Sequence, residues 1–237
     1  GTDQSNGAVY SRLWELFHRT MNDAKKAEWI FFHLHCKTVG YHNDMYPPSA
    51  QGQAREVPVQ DQVDEYEVIG PDGYGYPIYA LKQNHKALYG SLISEQDMAK
   101  AYDDGNPYVN RDPRFYRDIT YHGSMFKGKW INTATGADAI NAANSTSTGY
   151  FTRKYFDGYY TKGMSGNWNF DAPLIRLATI YLVYAEAVTR SKGATPEVYN
   201  LMNELRARSF MAPIPPAAQT NKELLLDYIL RERRVEL

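Results

Sequence analysis

D-A-P-L-I-R-L-A-T-I-Y-L-V-Y-A-E-A-V-T-R, residues Asp171 to Arg190, reads as one strongly apolar helix. Leu174, Leu177, Ala178, Tyr181, Leu182, Ala185 and Val188 repeat at helical spacing, and Ile175, Ile180, Val183 and Tyr184 fill much of the opposite face. A helix apolar nearly all round is expected to be buried, so Arg176 and Glu186 should be held by side-chain partners rather than by water. Asp171 can cap its start, Pro173 suits a first turn, and Gly193 follows the last apolar residue.

Thr195-Pro196 is a cap-and-start signal for a second helix, with Val198, Leu201, Met202 and Leu205 as its stripe. The short link from Ser191 to Thr195 predicts an antiparallel helical hairpin. After Pro213, Pro215 and Pro216, Thr220-Asn-Lys-Glu223 matches a capping box and opens a third helix through Leu224, Leu225, Ile229 and Leu230. That helix ends in R-E-R-R-V-E-L, and this charge cluster is expected to tie helices together by pairing with Arg176 or Glu186.

R-L-A-T-I-Y-L-V-Y-A-E-A, N-E-L-R-A-R and I-L-R-E-R-R-V-E-L, in that order, resemble the C-terminal half of the SusD/RagB family of outer-membrane nutrient-binding lipoproteins. Asn106 to Tyr116 (N-P-Y-V-N-R-D-P-R-F-Y), Gly149 to Tyr155 (G-Y-F-T-R-K-Y) and Ala27 to His35 (A-E-W-I-F-F-H-L-H) resemble three further family segments, also in order. The resemblance implies a mainly α fold of TPR-like helical hairpins with long irregular loops and a few short strands. It also implies one SusD/RagB-like domain over residues 1–237, a fragment lacking the family's N-terminal helices, lipid-bearing cysteine and extreme C-terminus. The function it implies is non-catalytic capture of oligo- or polysaccharide at the cell surface, for uptake through a TonB-dependent, SusC-like outer-membrane transporter. A lipid anchor would hold the full-length protein to the outer membrane. Peptide binding, as in RagB-like members, is an alternative, and a helical scaffold binding only proteins is another. A true solenoid would repeat its signature at a fixed period, and none is found.

Composition sets limits of its own. A chain of 237 residues can bury a sizeable core. A formal net charge of -1 leaves no basic surplus for nucleic acid. The single cysteine, Cys36, excludes an internal disulfide and reads as a packed thiol in a strand. Tyrosine is abundant at 20 residues beside 9 Phe and 4 Trp; rings left on loops would be amphipathic contact surface.

Towards the front, Leu13, Trp14, Leu16 and Phe17 predict a helix over Tyr10 to Met21, and Glu28 to His35 alternates as a strand. Lys37 to Gly75 has no sustained period, is rich in Gly and Pro, and carries Tyr41, Tyr46, Tyr66 and Tyr74. Such ring content argues for a functional loop region rather than disorder. A short helix is expected over Leu92 to Tyr102 with Ser94 as cap, and strands over Phe115 to Tyr121 and Thr152 to Phe156. Gly123 to Gly149 reads as a surface excursion holding Phe126 and Trp130, and Gly158 to Asn169 as a loop.

Sugar recognition needs flat rings against C–H faces, bordered by amide and carboxylate groups that bond hydroxyls. Two loops match: Tyr41, Asn43, Asp44 and Tyr46 in one, Tyr74 and Tyr76 in the other. The resemblance places ligand contacts in loops of this region but transfers no individual contact. His33, His35 and Cys36 share a strand without a second ligand cluster, so no metal is expected. Asp61, Asp64, Glu65 and Glu67 lack the glycine placement of a calcium loop. No nucleophile elbow, phosphate-binding loop or H-E-x-x-H occurs, and neither an enzymatic activity nor a cofactor is expected.

Overall fold

The computed structural model describes residues 28–37, 43–79, 86–90, 92–154 and 169–237. In chain order the elements are β1 (Trp29–Lys37), a 3-10 turn (Pro48–Ala50), α1 (Gln60–Glu65), β2 (Val68–Ile69), β3 (Gly75–Tyr76), α2 (Lys86–Tyr89), α3 (Glu95–Ala101) and α4 (Pro113–Asp118). There follow β4 (Ile119–Thr120), β5 (Met125–Phe126), β6 (Lys129–Trp130), β7 (Phe151–Thr152), β8 (Asn169–Arg176), α5 (Leu177–Lys192), α6 (Pro196–Arg208), a 3-10 turn (Pro216–Gln219) and α7 (Lys222–Glu236). The strands pair only in twos: β1 with β8, β2 with β3, β4 with β7 and β5 with β6. This is a mainly α chain with long irregular loops, as its sequence implied. The expected helix over 10–21 lies outside the described residues, as does the loop expected over Gly158 to Asn169 except for Asn169, which opens β8. No described helix is long and apolar enough to cross a membrane.

Two compact units divide the chain: Gly1–Val63 with Phe115–Ile175, and Asp64–Arg114 with Arg176–Leu237. The second is built on the α5–α6 hairpin and α7. Thr195 caps α6 by accepting from the Val198 amide, and Pro196 occupies its first turn. Gly193 closes α5 at φ 87°, a left-handed conformation that favours glycine, and its N–H reaches Thr189 O at 3.0 Å. Asn221, one residue beyond the expected Thr220, caps α7 through Leu224 N at 3.1 Å. The proline-rich break is strapped across α6: Tyr199 donates to Ile214 O at 3.0 Å, and Ile214 N to Asn203 Oδ1 at 2.9 Å. Ala178, Leu182, Ala185, Val198, Met202, Leu205, Leu224, Leu225, Tyr228 and Ile229 form one buried cluster there.

The long apolar stretch is not one helix. Its first part, through Arg176, is strand β8, and the helix starts at Leu177. Asp171 and Pro173 therefore do not begin it. Proline is tolerated in the strand because a two-stranded ribbon has only edges. Nor is the helix buried all round. Leu182 is fully buried, while Ile180, Val183 and Tyr184 are 47%, 47% and 43% exposed.

The expected strand over Phe115 to Tyr121 is mostly α4, and only Ile119 and Thr120 extend into β4. Pro113, a poor strand residue but a good first-turn one, explains the difference. The expected short helix is α3, with Ser94 Oγ accepting from Asp97 N at 3.1 Å. In β1 Trp29 is buried while both Ile30 and Phe31 are exposed.

Candidate functional site

The first proposed loop belongs to the first unit. Residues 43–45 form a single helical turn, and the chain then doubles back so closely that a Cβ on Gly52 would lie 1.9 Å from Tyr46 O. Gln53 N bonds Asn43 O at 2.7 Å, and Glu56 N bonds Asp44 O at 3.1 Å. This closure turns Tyr46 inward. It is 3% exposed, packed with Met45, Phe126, Ile131 and Phe151, its ring edge-on to Phe126 at 5.0 Å, with Lys127 Nζ 5.0 Å above it. Tyr46 is a core ring rather than a platform for sugar. Asp44 remains partly exposed and meets Arg55 at 3.3 Å. Asn43 Oδ1 is buried and has no hydrogen-bond partner among the described residues. Tyr41 lies outside the described residues.

The second loop belongs to the second unit and is also largely internal. Tyr76, 1% exposed, donates its hydroxyl to Asp72 Oδ2 at 2.6 Å, and burial followed by Asp72 pushes its phenol far above the ordinary range. Tyr76 too is a core ring rather than a stacking platform: it stands in β3, both of whose residues are buried, and packs in the core cluster of this unit. Tyr74 is half-buried against the same cluster. The sequence treats these tyrosines as loop residues; burial depends on which loops fold back, and no local pattern encodes that.

The densest polar constellation is one that the sequence marks only as a helix tie. In the second unit, Glu67 receives Arg206 Nη2 at 2.6 Å and Arg231 Nη1 at 2.8 Å. Glu232 binds Arg206 Nη1 at 3.3 Å and Arg114 Nη2 at 3.1 Å. Glu236 binds Arg176 Nη1 at 2.9 Å and Arg114 Nη1 at 3.2 Å, and also takes Arg208. Asp112 closes the lattice on Arg114 at 2.8 Å. Beside it, Arg231 donates to the Tyr79 and Tyr89 hydroxyls at 2.7 and 2.6 Å, with its guanidinium 4.8 Å from the Tyr228 ring. Backbone follows the charges inward: a Cβ on Gly75 would come within 2.1 Å of Glu67 Oε2. The expected pairings hold, Arg176 with Glu236 and Glu186 with Arg233, and Glu186 also takes Arg190 of its own helix. Arg111, Asp112 and Arg114 likewise have structural roles; Arg111 holds Tyr66 O through Nη2 at 2.8 Å.

Burial alone would raise the Glu67 carboxyl, but Arg206 and Arg231 outweigh it and hold it below the usual glutamate value. Burial pushes Tyr79 up to about 12, against the pull of Arg231. A carboxylate whose folded pKa is depressed contributes stability above its unfolded pKa and loses it as pH falls through the folded one. Melting temperature should therefore drop on acidification below the ordinary value of 4.5. Glu67→Gln, already weaker at neutral pH, should show a shallower acid limb in melting followed by circular dichroism; parallel limbs would count against this role.

What fold and site define is a scaffold of TPR-like helical hairpins locked by a buried ionic lattice, bearing long irregular loops. The SusD family model matches residues 27–237, and the chain belongs to that family. Three solved structures share its fold. A SusD-like carbohydrate binding protein from Bacteroides fragilis NCTC 9343 is 19% identical at a TM-score of 0.66, over 97% of this chain and 47% of that one. A second SusD-like protein from the same strain is 23% identical at 0.64, over 98% and 44%. A SusD superfamily protein from Bacteroides vulgatus ATCC 8482 is 17% identical at 0.59, over 96% and 40%. The chain thus spans less than half the length of these relatives. No curated protein matches it.

Proposed function

We propose that this chain is part of a non-catalytic, surface-exposed binding protein that captures oligo- or polysaccharide. A TonB-dependent, SusC-like transporter would take the sugar across the outer membrane, and a lipid anchor would hold the full-length protein there. The observation that carries this reading is likeness along almost the whole chain to a SusD-like carbohydrate binding protein, joined to membership of the SusD family. The buried carboxylates support it from the other side. Glycoside hydrolysis needs a carboxyl with a raised pKa facing a second one across a cleft. Glu67, Glu232 and Glu236 are instead enclosed by guanidinium groups, and Glu67 is held ionised.

Within the first loop, Asn43 and Asp44 supply the hydrogen-bonding groups of the proposed contact, with Tyr41 as its ring; Asp44 is partly exposed. In the second loop Tyr74 keeps an accessible edge. Native gels cast with a panel of polysaccharides test the reading. Retardation without released reducing ends is expected; reducing ends would mean an enzyme. Competition by oligopeptides but not oligosaccharides would move the assignment to peptide capture.

A further inference from the structure

In the first unit, the excursion over residues 123–149 is rooted on a histidine that the sugar reading does not use. Tyr121 to Ser124 form a tight turn: Ser124 N bonds Tyr121 O at 3.0 Å, and Gly123 takes a left-handed φ of 79°. His122 is exposed on this turn, and its ring folds back on Thr133. The Thr133 N–H reaches His122 Nδ1 at 3.1 Å, and Thr133 Oγ1 lies 3.2 Å from the same nitrogen. A backbone N–H only donates, so Nδ1 presents its lone pair and the ring proton sits on Nε2.

Thr133 is a node of the excursion. Its carbonyl accepts from Ile140 N at 2.9 Å, and nearby Asp138 takes Ser49 N of the first loop at 2.8 Å. Thr133 is buried, and its amide has no other acceptor among the described residues. Charged side chains of the hairpin, the excursion and the end of β7 are engaged elsewhere: Lys127 over the Tyr46 ring, Lys129 on Ser49 O, Asp138 on Ser49 N and Arg153 on Met125 O. Among the described residues the His122 ring bonds only Thr133.

We propose that His122 is a proton-operated pin for this excursion: unprotonated it holds the Thr133 amide, and protonated it lets that amide go. Histidine is the side chain that changes charge between about pH 8 and pH 5. The added proton goes to Nδ1, the ring nitrogen that carries none. Two N–H groups then face each other. Nδ1–H can turn to Thr133 Oγ1, but the buried amide is left without a partner. The Ile140 bond to the same residue loosens with it.

Amide exchange followed by nuclear magnetic resonance tests this on the 237-residue chain, with protection factors dividing out the intrinsic pH dependence of exchange. Between about pH 8 and pH 5, protection at Thr133 and Ile140 should fall by about five- to tenfold, the worth of one hydrogen bond. Ile131 N, bonded to Ser124 O at 2.9 Å in the hairpin, should keep its protection. His122→Asn puts a non-titrating acceptor near the Nδ1 position and should hold both amides in acid. His122→Ala should leave both weakly protected throughout. Ring-nitrogen shifts showing Nδ1 protonated at the alkaline end would overturn the proposal. So would unchanged protection on acidification, a loss confined to Thr133 or equal at Ile131, or release in acid from the His122→Asn chain.

Discussion

Truncating Glu232 to Ala is expected to destabilise the chain by about 3–5 kcal/mol, the range for removing one partner from a buried ionic group. Glu232 is engaged by Arg114 and Arg206, both buried. Without its carboxylate, Arg114 keeps Asp112 and Glu236, and Arg206 keeps Glu67, but both guanidiniums lose a counter-charge where water cannot replace it. Glu232→Gln, which keeps the shape and one acceptor, should lose less. Urea unfolding followed by far-ultraviolet circular dichroism measures both. A loss under about 1 kcal/mol, the range of exposed pairs, would mean that the lattice is solvated and not a fastener.

The second large effect is apolar. Leu182→Ala should cost about 2–5 kcal/mol, from lost burial plus the cavity left behind. Val183→Ala, one residue along the same helix and half-exposed, should change stability by no more than about 0.5 kcal/mol. The contrast matters more than either figure, because both side chains belong to one apolar run in the sequence. If the two substitutions cost the same in the same urea titrations, α5 is not a helix with one buried side.

Sequence and structure part company at definable places. Arg176 and Glu186 were legible as partnered charges because an ionised side chain in an apolar helix has few alternatives. The cap at Thr195, the turn at Gly193 and the α3 cap at Ser94 were legible because they are local chemistry, settled within four residues. Where the α5 helix begins was not. Asp171 and Pro173 form a sound start signal, but pairing with β1, distant in sequence, holds residues 169–176 extended. Tyr46 and Tyr76 failed as site residues for the same reason. Their loops look open in sequence, and only a return of chain onto them, at Gly52 for one and at the buried cluster of the second unit for the other, seals the rings.

The sequence by itself determined the class of fold, the helix caps at Ser94 and Thr195, the helical hairpin and family membership, since these follow from period, turn chemistry and motif order along the chain. Only the tertiary structure decided which face of α5 is covered, which tyrosines are walls, and how five arginines share their carboxylates. Those outcomes depend on residues far apart in sequence and on the exclusion of water between them, and neither is written in any local pattern.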